Sequence, residues 1–348
     1  MRLEPVASRT LARTLGLPAL ALALTTLTAS VLVMLAGADP FSALGLILDG
    51  ALGSRFAVLE TLNRATPLIF TGLAITVAFK ARLWNIGAEA QLYAGALATV
   101  LVGTQLGLPG PLALPAMAIA AVLAGALVLL GPVLLKVRLG VDEVVTTLLF
   151  NFIMLLFVSM MLEGPMKDPM GMGWPKSESL PPDARLPRLV EGLRLHWGFG
   201  LALVAAVGVW FIQVRTTLGF EIRAVGQNPH AARFAGIPVN RVFLKTALLS
   251  GGLAALAGFS EVAGLKGNLT LDLSPGFGYT GIIVAMLALL HPLGVIVSAV
   301  FVAGVFVGAD SMSRTAEVPT YIADISLATA LLFMVLALLL TRFNIVRG

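Results

Sequence analysis

The chain has 348 residues, 58% of them hydrophobic and 12% charged, with a mean hydropathy of +0.96. A soluble domain is roughly half apolar and about a quarter charged, so this composition excludes a soluble fold and sets most of the chain against lipid or inside a helix bundle. The net charge of +5 is better explained by membrane topology than by nucleic acid, and the absence of cysteine excludes disulfides, thiolate metal sites and a thiol nucleophile.

A bilayer core is crossed by about 20 apolar residues in a helix. The first such run, 15–38, follows Arg2, Arg9 and Arg13 and ends on Ala36, Gly37 and Ala38, a pattern like a signal-peptidase site. It is longer than a signal h-region and predicts an uncleaved first span. Residues 39–66 include FSALGLILDGAL, an amphipathic stretch too short to span and expected at the outer interface. Candidate spans follow at 67–79, 88–106, 112–135 and 144–162. The Pro-rich segment 163–196 is too long for a simple turn and is expected to be a partner-facing external cap. Further candidates at 197–214, 242–262, 277–290, 293–309 and 321–340 bring the expected total to about ten. Strand-like alternation is absent, which excludes a β-barrel. The expected fold class is therefore all-α, a polytopic membrane protein with one transmembrane domain over 1–348. Its parts are an N-terminal span and interfacial segment (1–64), a first helical half (65–214), a polar segment (215–241) and a second half (242–348).

Basic residues set the orientation, because short cytoplasmic segments are enriched in them. With the N-terminus inside, the inner segments hold Arg2, Arg9, Arg13, Lys80, Arg82, Lys136, Arg138, Arg215, Arg223, Arg233, Arg241, Lys245, Arg342 and Arg347, 14 of the 23 Lys and Arg. The acids there are only Glu4, Glu89, Asp142, Glu143 and Glu221. Both termini are expected to be cytoplasmic.

Within the inner polar segment, residues 218–241 read LGFEIRAVGQNPHAARFAGIPVNR. Asn228 predicts an N-cap, Pro229 the first helical position and Gly236 a left-handed stop. Together they specify a short helix of about two turns with loops on both sides, outside the bilayer and free to touch a partner. Gly276, Gly278 and Gly281 match G-x-G-x-x-G, but a dinucleotide site needs a βαβ context that is missing here. The glycines are read instead as allowing close backbone approach at a helix entrance, and the Gly304–Gly308 spacing as intramolecular helix packing. Asn85 and Glu89 stand at a helix start, where Glu89 favours the dipole, and Asn151 lies midway along its span, facing the bundle interior. No nucleotide-binding, zinc-protease or serine-hydrolase motif occurs, and His196, His230 and His291 lack ligand spacing. No acid is clearly placed at mid-bilayer, which points to an energy source outside the chain. An ion-coupled secondary transporter and a membrane-embedded enzyme are the rival classes. LWNIGAEAQLYAGA and LSPGFGYTGIIVA echo one another, the first starting on the inner side and the second on the outer, as inverted half-repeats would.

The stretches TGLAITVAFKARLWNIGAEAQLYAGA, GVDEVVTTLLFN, RAVGQNPHAARFAGI and GFGYTGIIVAMLALLHPLG together resemble the membrane permease subunits of bacterial ABC importers. More narrowly they resemble the branch serving nucleosides and simple sugars, from about residue 65 to the C-terminus. The resemblance implies the ABC importer permease fold in the bacterial inner membrane, with no cofactor on this chain and with ATP and Mg at a separate cytoplasmic ABC ATPase subunit. It also implies a second permease subunit that is a different chain, and an external substrate-binding lipoprotein; nucleic acid is not an expected partner. The family's coupling helix matches 228–236. Arg223, Gly226, Asn228, Pro229, Ala232, Arg233, Phe234 and Gly236 are the expected ATPase-coupling residues, with Phe234 as an anchor and Arg223 and Arg233 facing acids of the ATPase. Asn85, Glu89, Asn151, Gly276 and Gly278 are the expected translocation-path residues. The sequence departs from the family at Ala90, where Gly is common. It departs again at Ala288, Leu289 and Leu290, where the family often has Gly and a basic or amide residue, leaving the shape of that turn open.

Overall fold

The structure, a computed structural model, describes residues 2–5, 11–316, 319 and 321–346. Arg9 and Arg347, used above for orientation, lie outside the described residues. The first helices are α1 (Leu11–Leu35), α2 (Pro40–Leu52), α3 (Arg55–Lys80), α4 (Ala88–Gln105), α5 (Gly110–Leu139) and α6 (Glu143–Glu163). After an irregular stretch come α7 (Gly198–Arg215), α8 (Thr217–Gln227), α9 (Pro229–Phe234), α10 (Val239–Ser260), α11 (Phe277–Leu287), α12 (Pro292–Ala316) and α13 (Tyr321–Arg342). The strands β1 (Arg2–Pro5) and β2 (Phe343–Val346) form a short antiparallel pair.

Every expected span falls on a helix. Among the described residues six helices have the length and composition of a crossing, namely α3, α5, α6, α7, α10 and α12, or seven if the bent pair α1 and α2 is one span. The chain turns by 110° between those two helices. α11 is too short to qualify, and α4 carries Glu89 and Gln91 in its first turns. Both residues are buried, so their polarity is shielded from lipid by neighbouring helices.

Two compact units make up the chain, one of Met1–Thr61 with Phe301–Gly348 and one of Leu62–Val300, so the boundaries fall within α3 and α12. In the first unit α2 starts on an Asp39 cap, whose carboxylate accepts from Ser42 N–H at 2.7 Å, with Pro40 in the first turn. Val33, Ala43, Met312 and Ile322 form its core. A side chain at Gly308 would overlap the Ile47 carbonyl, so Gly308 lets α12 and α2 touch at backbone distance. Gly304 and Gly308 are thus intramolecular packing positions. Phe41, Leu48 and Leu52 point outward from α2, as an interfacial helix requires.

The larger unit is built round α4, most of which is buried between α5, α6, α10 and α11. Side chains at Gly95, Gly258 and Gly125 would collide with the backbones of Ala255, Leu92 and Gly251, so α4, α5 and α10 cross at the distance only glycine permits. α3 does not begin at Pro67 as expected, but runs straight through it. Thr66 Oγ1 donates to Leu62 O and Thr71 Oγ1 to Pro67 O, both at 3.1 Å, so both hydroxyls bond back to the preceding turn of the helix. The α5–α6 turn has Gly140 at φ +70°, Asp142 capping α6, and a Lys136–Glu143 ion pair at 2.6 Å.

Residues 164–197 are ordered against the end of α10. Leu186 N–H donates to Ala263 O, Leu180 N–H to Gly267 O and Ser177 N–H to Leu269 O, at 2.8, 2.7 and 3.0 Å. α10 closes there in a π-helical turn, Glu261–Lys266. The His196 ring fills the space above Gly198 and Gly264, and its Nδ1 accepts from Gly198 N–H at 3.1 Å.

Candidate functional site

Two polar sites emerge, both inside the larger unit. The first is a buried junction where α4 and α11 begin. The connection 81–87 has few backbone bonds of its own and is held by side chains of α6. Ile86 N–H donates to Thr147 Oγ1 at 3.2 Å, and Asn151 Nδ2 donates to Ile86 O at 2.9 Å. Asn151 Oδ1 then accepts from Ala90 N–H at 2.9 Å, capping α4 from outside that helix. Asn85 is fully buried; it exchanges hydrogen bonds with Gln91 and donates to Ser250 Oγ at 3.0 Å. Ser250 passes the chain of bonds on to Ala74 O at 2.8 Å. Asn85 is therefore a saturated brace joining α3, α4 and α10.

Glu89 does more than favour its own helix. Its Oε2 accepts from Gly278 N–H at 2.6 Å, in the first turn of α11. A Cβ at Gly278 would lie 2.6 Å from Glu89 Cα, so the approach depends on glycine there. One carboxylate thus serves two helix N-termini, each with a partial positive charge. The two entrances, expected on opposite sides, meet at one point. Gly276 has φ +90° and turns the chain into α11, a conformation that disfavours a side chain.

Sequence reasoning missed six members of this junction, Gln91 and Thr147 among them. Ser274 Oγ accepts from Phe277 N–H at 2.9 Å and from Gly276 N–H at 3.2 Å; a Ser just ahead of Pro-Gly and a helix was the available signal. Tyr93 donates to Leu271 O at 2.6 Å, and Ser250 has been described. Tyr279 Oη accepts a hydrogen bond from Asn151 Nδ2 at 3.0 Å, and the residue is 40% exposed where its partner is buried. Nothing local in the sequence marks Tyr93 or Tyr279.

The second site is the segment 216–241. Asn228 Oδ1 accepts from His230 and Ala231 N–H at 3.0 and 3.1 Å, Pro229 occupies the first helical position and Gly236 has φ +82°. The caps of α9 are as expected. The loop expected before them is instead α8, capped by Thr216, whose hydroxyl accepts from Gly219 N–H at 3.2 Å. Its apolar and small residues Ile222, Val225 and Gly226 are buried, which holds it to the bundle. A side chain at Gly226 would overlap the Lys80 carbonyl at the end of α3.

The expected members of this site divide into two sets. Arg223 is half-buried and donates to Gln213 O, and Ala232 is buried. Phe234 is 99% exposed, and Arg233 is exposed beside it. A groove of about 700 Å³ runs between α9 and the α5–α6 turn, with Arg233, His230, Asp142, Val141 and Phe243 in its walls.

Residues 57–341 match the model of a family described as "Branched-chain amino acid transport system / permease component". A glucose ABC transporter permease of Haloferax volcanii, TsgB13, is 35% identical over 340 residues, covering 95% of this chain and 89% of that protein. A guanosine ABC transporter permease of Bacillus subtilis, NupP, is also 35% identical, over 326 residues covering 91% and 92%. A nucleoside ABC transporter permease of Lactococcus lactis, NupB, is 29% identical over 326 residues covering 91% and 89%. Haloferax volcanii has a further similar chain, TsgC13, 31% identical over 99 residues, 28% of this chain and 30% of that protein.

Proposed function

This chain belongs to the family of branched-chain amino acid transport system permease components, and from that premise we propose how its two polar sites serve nucleoside import. It is a membrane permease subunit of an ABC importer for nucleosides or sugars, and not an enzyme. Similarity to such permeases over more than nine-tenths of the chain carries the assignment. The finer reading, a nucleoside, is supported by the guanosine and nucleoside relatives and by the part-exposed Tyr279, an aromatic residue on which a base can stack. A sugar is the second reading, supported by the glucose relative.

ATP and Mg act at a partner ATPase on the cytoplasmic side, and α9 is the lever seated in it. Support comes from the rigid caps of α9 and from Phe234, a bare apolar side chain on a membrane protein's polar segment. Of the expected coupling residues, Arg233 and Phe234 contact the ATPase, while Gly226, Asn228, Pro229 and Gly236 shape the segment. The second permease is a different chain, as the pair TsgB13 and TsgC13 in one organism suggests. A substrate-binding lipoprotein docks on the external segment 163–196. The protein is multi-pass in the inner membrane with both termini cytoplasmic, a topology supported by the pairing of β1 with β2.

Uptake into proteoliposomes tests this. Guanosine accumulation is expected only when this chain, its companion permease, the ATPase and ATP are all present, with glucose unable to compete. Uptake by the chain without an ATPase would overturn the mechanism; glucose uptake with no guanosine uptake would overturn the substrate.

A further inference from the structure

At the Lys80 end of α3, three donor groups converge on too few acceptors. Lys80 Nζ donates to Gln213 Oε1 at 2.5 Å, and Arg223 Nη1 donates to the backbone carbonyl of the same Gln213. Gln213 is 1% exposed, and its Nε2 has no hydrogen-bond partner. The Lys80 contact fixes which way the amide points, because Nε2 in that place would set donor against donor. An ammonium, a guanidinium and an amide NH₂ therefore share two acceptor oxygens, both from one residue.

No carboxylate among the described residues forms an ion pair with Lys80 or Arg223. Glu221 is two positions from Arg223 on α8 and so points to a different face of that helix. Backbone contacts prevent the cations from drifting apart, since side chains at Gly219 and Gly226 would overlap the Ile212 and Lys80 carbonyls and α8 is pinned at both points. Two like charges held together in a half-buried place are unfavourable unless an anion joins them.

The surroundings select the anion. α3 and α7 are helices of membrane-spanning length and composition, and Lys80 and Gln213 stand at their ends. Val214, next to Gln213 in the chain, and Phe220, one helical turn before Arg223, are exposed apolar side chains, and Arg215 is exposed. Basic donors at the end of a span, with exposed apolar side chains on the same helices, match a phospholipid, its phosphate among the donors and its acyl chains along the apolar surface.

We propose that Lys80, Gln213 and Arg223 form a binding site for the phosphate of an anionic phospholipid, which supplies the acceptor this junction lacks and holds α8 against α3 and α7. The site depends on the chain spanning a membrane and not on what it transports.

The test uses the full-length chain, purified in detergent and moved into nanodiscs of phosphatidylcholine with or without phosphatidylglycerol. Two quantities are read: phosphatidylglycerol retained per chain, by mass spectrometry, and the melting temperature. The wild type is expected to retain phosphatidylglycerol and to melt higher in its presence. Lys80→Gln should retain several-fold less, and Lys80→Arg should retain it. Gln213→Glu supplies the missing acceptor from the chain itself, so it should lose the lipid while melting in phosphatidylcholine at least as high as the wild type. Equal retention in wild type and Lys80→Gln, or undiminished retention in Gln213→Glu, would overturn the proposal. Inorganic phosphate in phosphatidylcholine nanodiscs should leave the melting temperature unchanged; if it reproduces the phosphatidylglycerol effect, the ligand is a free anion and the lipid assignment fails.

Discussion

Asn228 satisfies two of the N–H groups that α9 leaves free at its start, and in a six-residue helix those are a large share of the backbone bonding. Asn228→Ala is expected to cost about 1 kcal/mol of local stability, roughly a five-fold faster amide exchange at His230 and Ala231. Hydrogen-exchange mass spectrometry over 228–236 reads this directly. His196 acts at the other end of the bundle. Desolvation lowers its pKa to about 4, from an ordinary 6.5, so it is folded in as the neutral ring. Between those values the folded form binds fewer protons than the unfolded one. Stability is therefore full above about pH 6.5 and is lost as pH falls towards 4. Limited proteolysis of 163–196 across that range should show increasing cleavage at the acid end, and His196→Gln should flatten the dependence.

At the scale of elements, the turn between α11 and α12 is the clearest case of local strain. Leu289 and Leu290 have φ of +51° and +58°, left-handed values that glycine adopts freely and a branched side chain does not. The departure from the family's glycine-bearing turn thus falls where the backbone calls for glycine. Leu290→Gly is expected to stabilise the protein by about 1 kcal/mol, seen as a higher melting temperature with unchanged helix content. The opposite holds at Gly278 and Gly226, where neighbouring backbone fills the space a side chain needs. These elements differ in how far the sequence discloses them. The α9 caps are legible because Asn228, Pro229 and Gly236 act within one turn of their targets. α3 is mis-started at Pro67 because proline, which fits the first turn of a helix, here lies inside one that begins at Arg55.

For the whole molecule, the energy source is the issue that the buried junction addresses. Glu89 is a buried carboxylate among the helices, as an ion-coupled carrier would want, but its Oε2 is taken up by Gly278 N–H, which ties α4 to α11. In the proposed ATP-driven mechanism it is a clamp between those two helices. ATP-driven uptake by the assembled transporter should therefore persist when a protonophore collapses the proton gradient across the proteoliposome membrane. Loss of uptake under that condition would return the ion-coupled reading.

Composition by itself determined the membrane setting and all-α class, because 58% apolar residues in long unbroken runs have no soluble solution. Local chemistry determined the helical segments and the caps of α9, whose hydrogen bonds span three residues or fewer. Only the tertiary structure decided that α4 and α11 begin at one point, that Arg223 reaches Gln213, and that Tyr279 meets Asn151. Asn151 and Tyr279 are 128 positions apart and Glu89 and Gly278 are 189, so no local pattern could pair them. Their meeting follows from glycines at Gly95, Gly258 and Gly278, whose missing side chains let the helix backbones close until one carboxylate reaches both entrances.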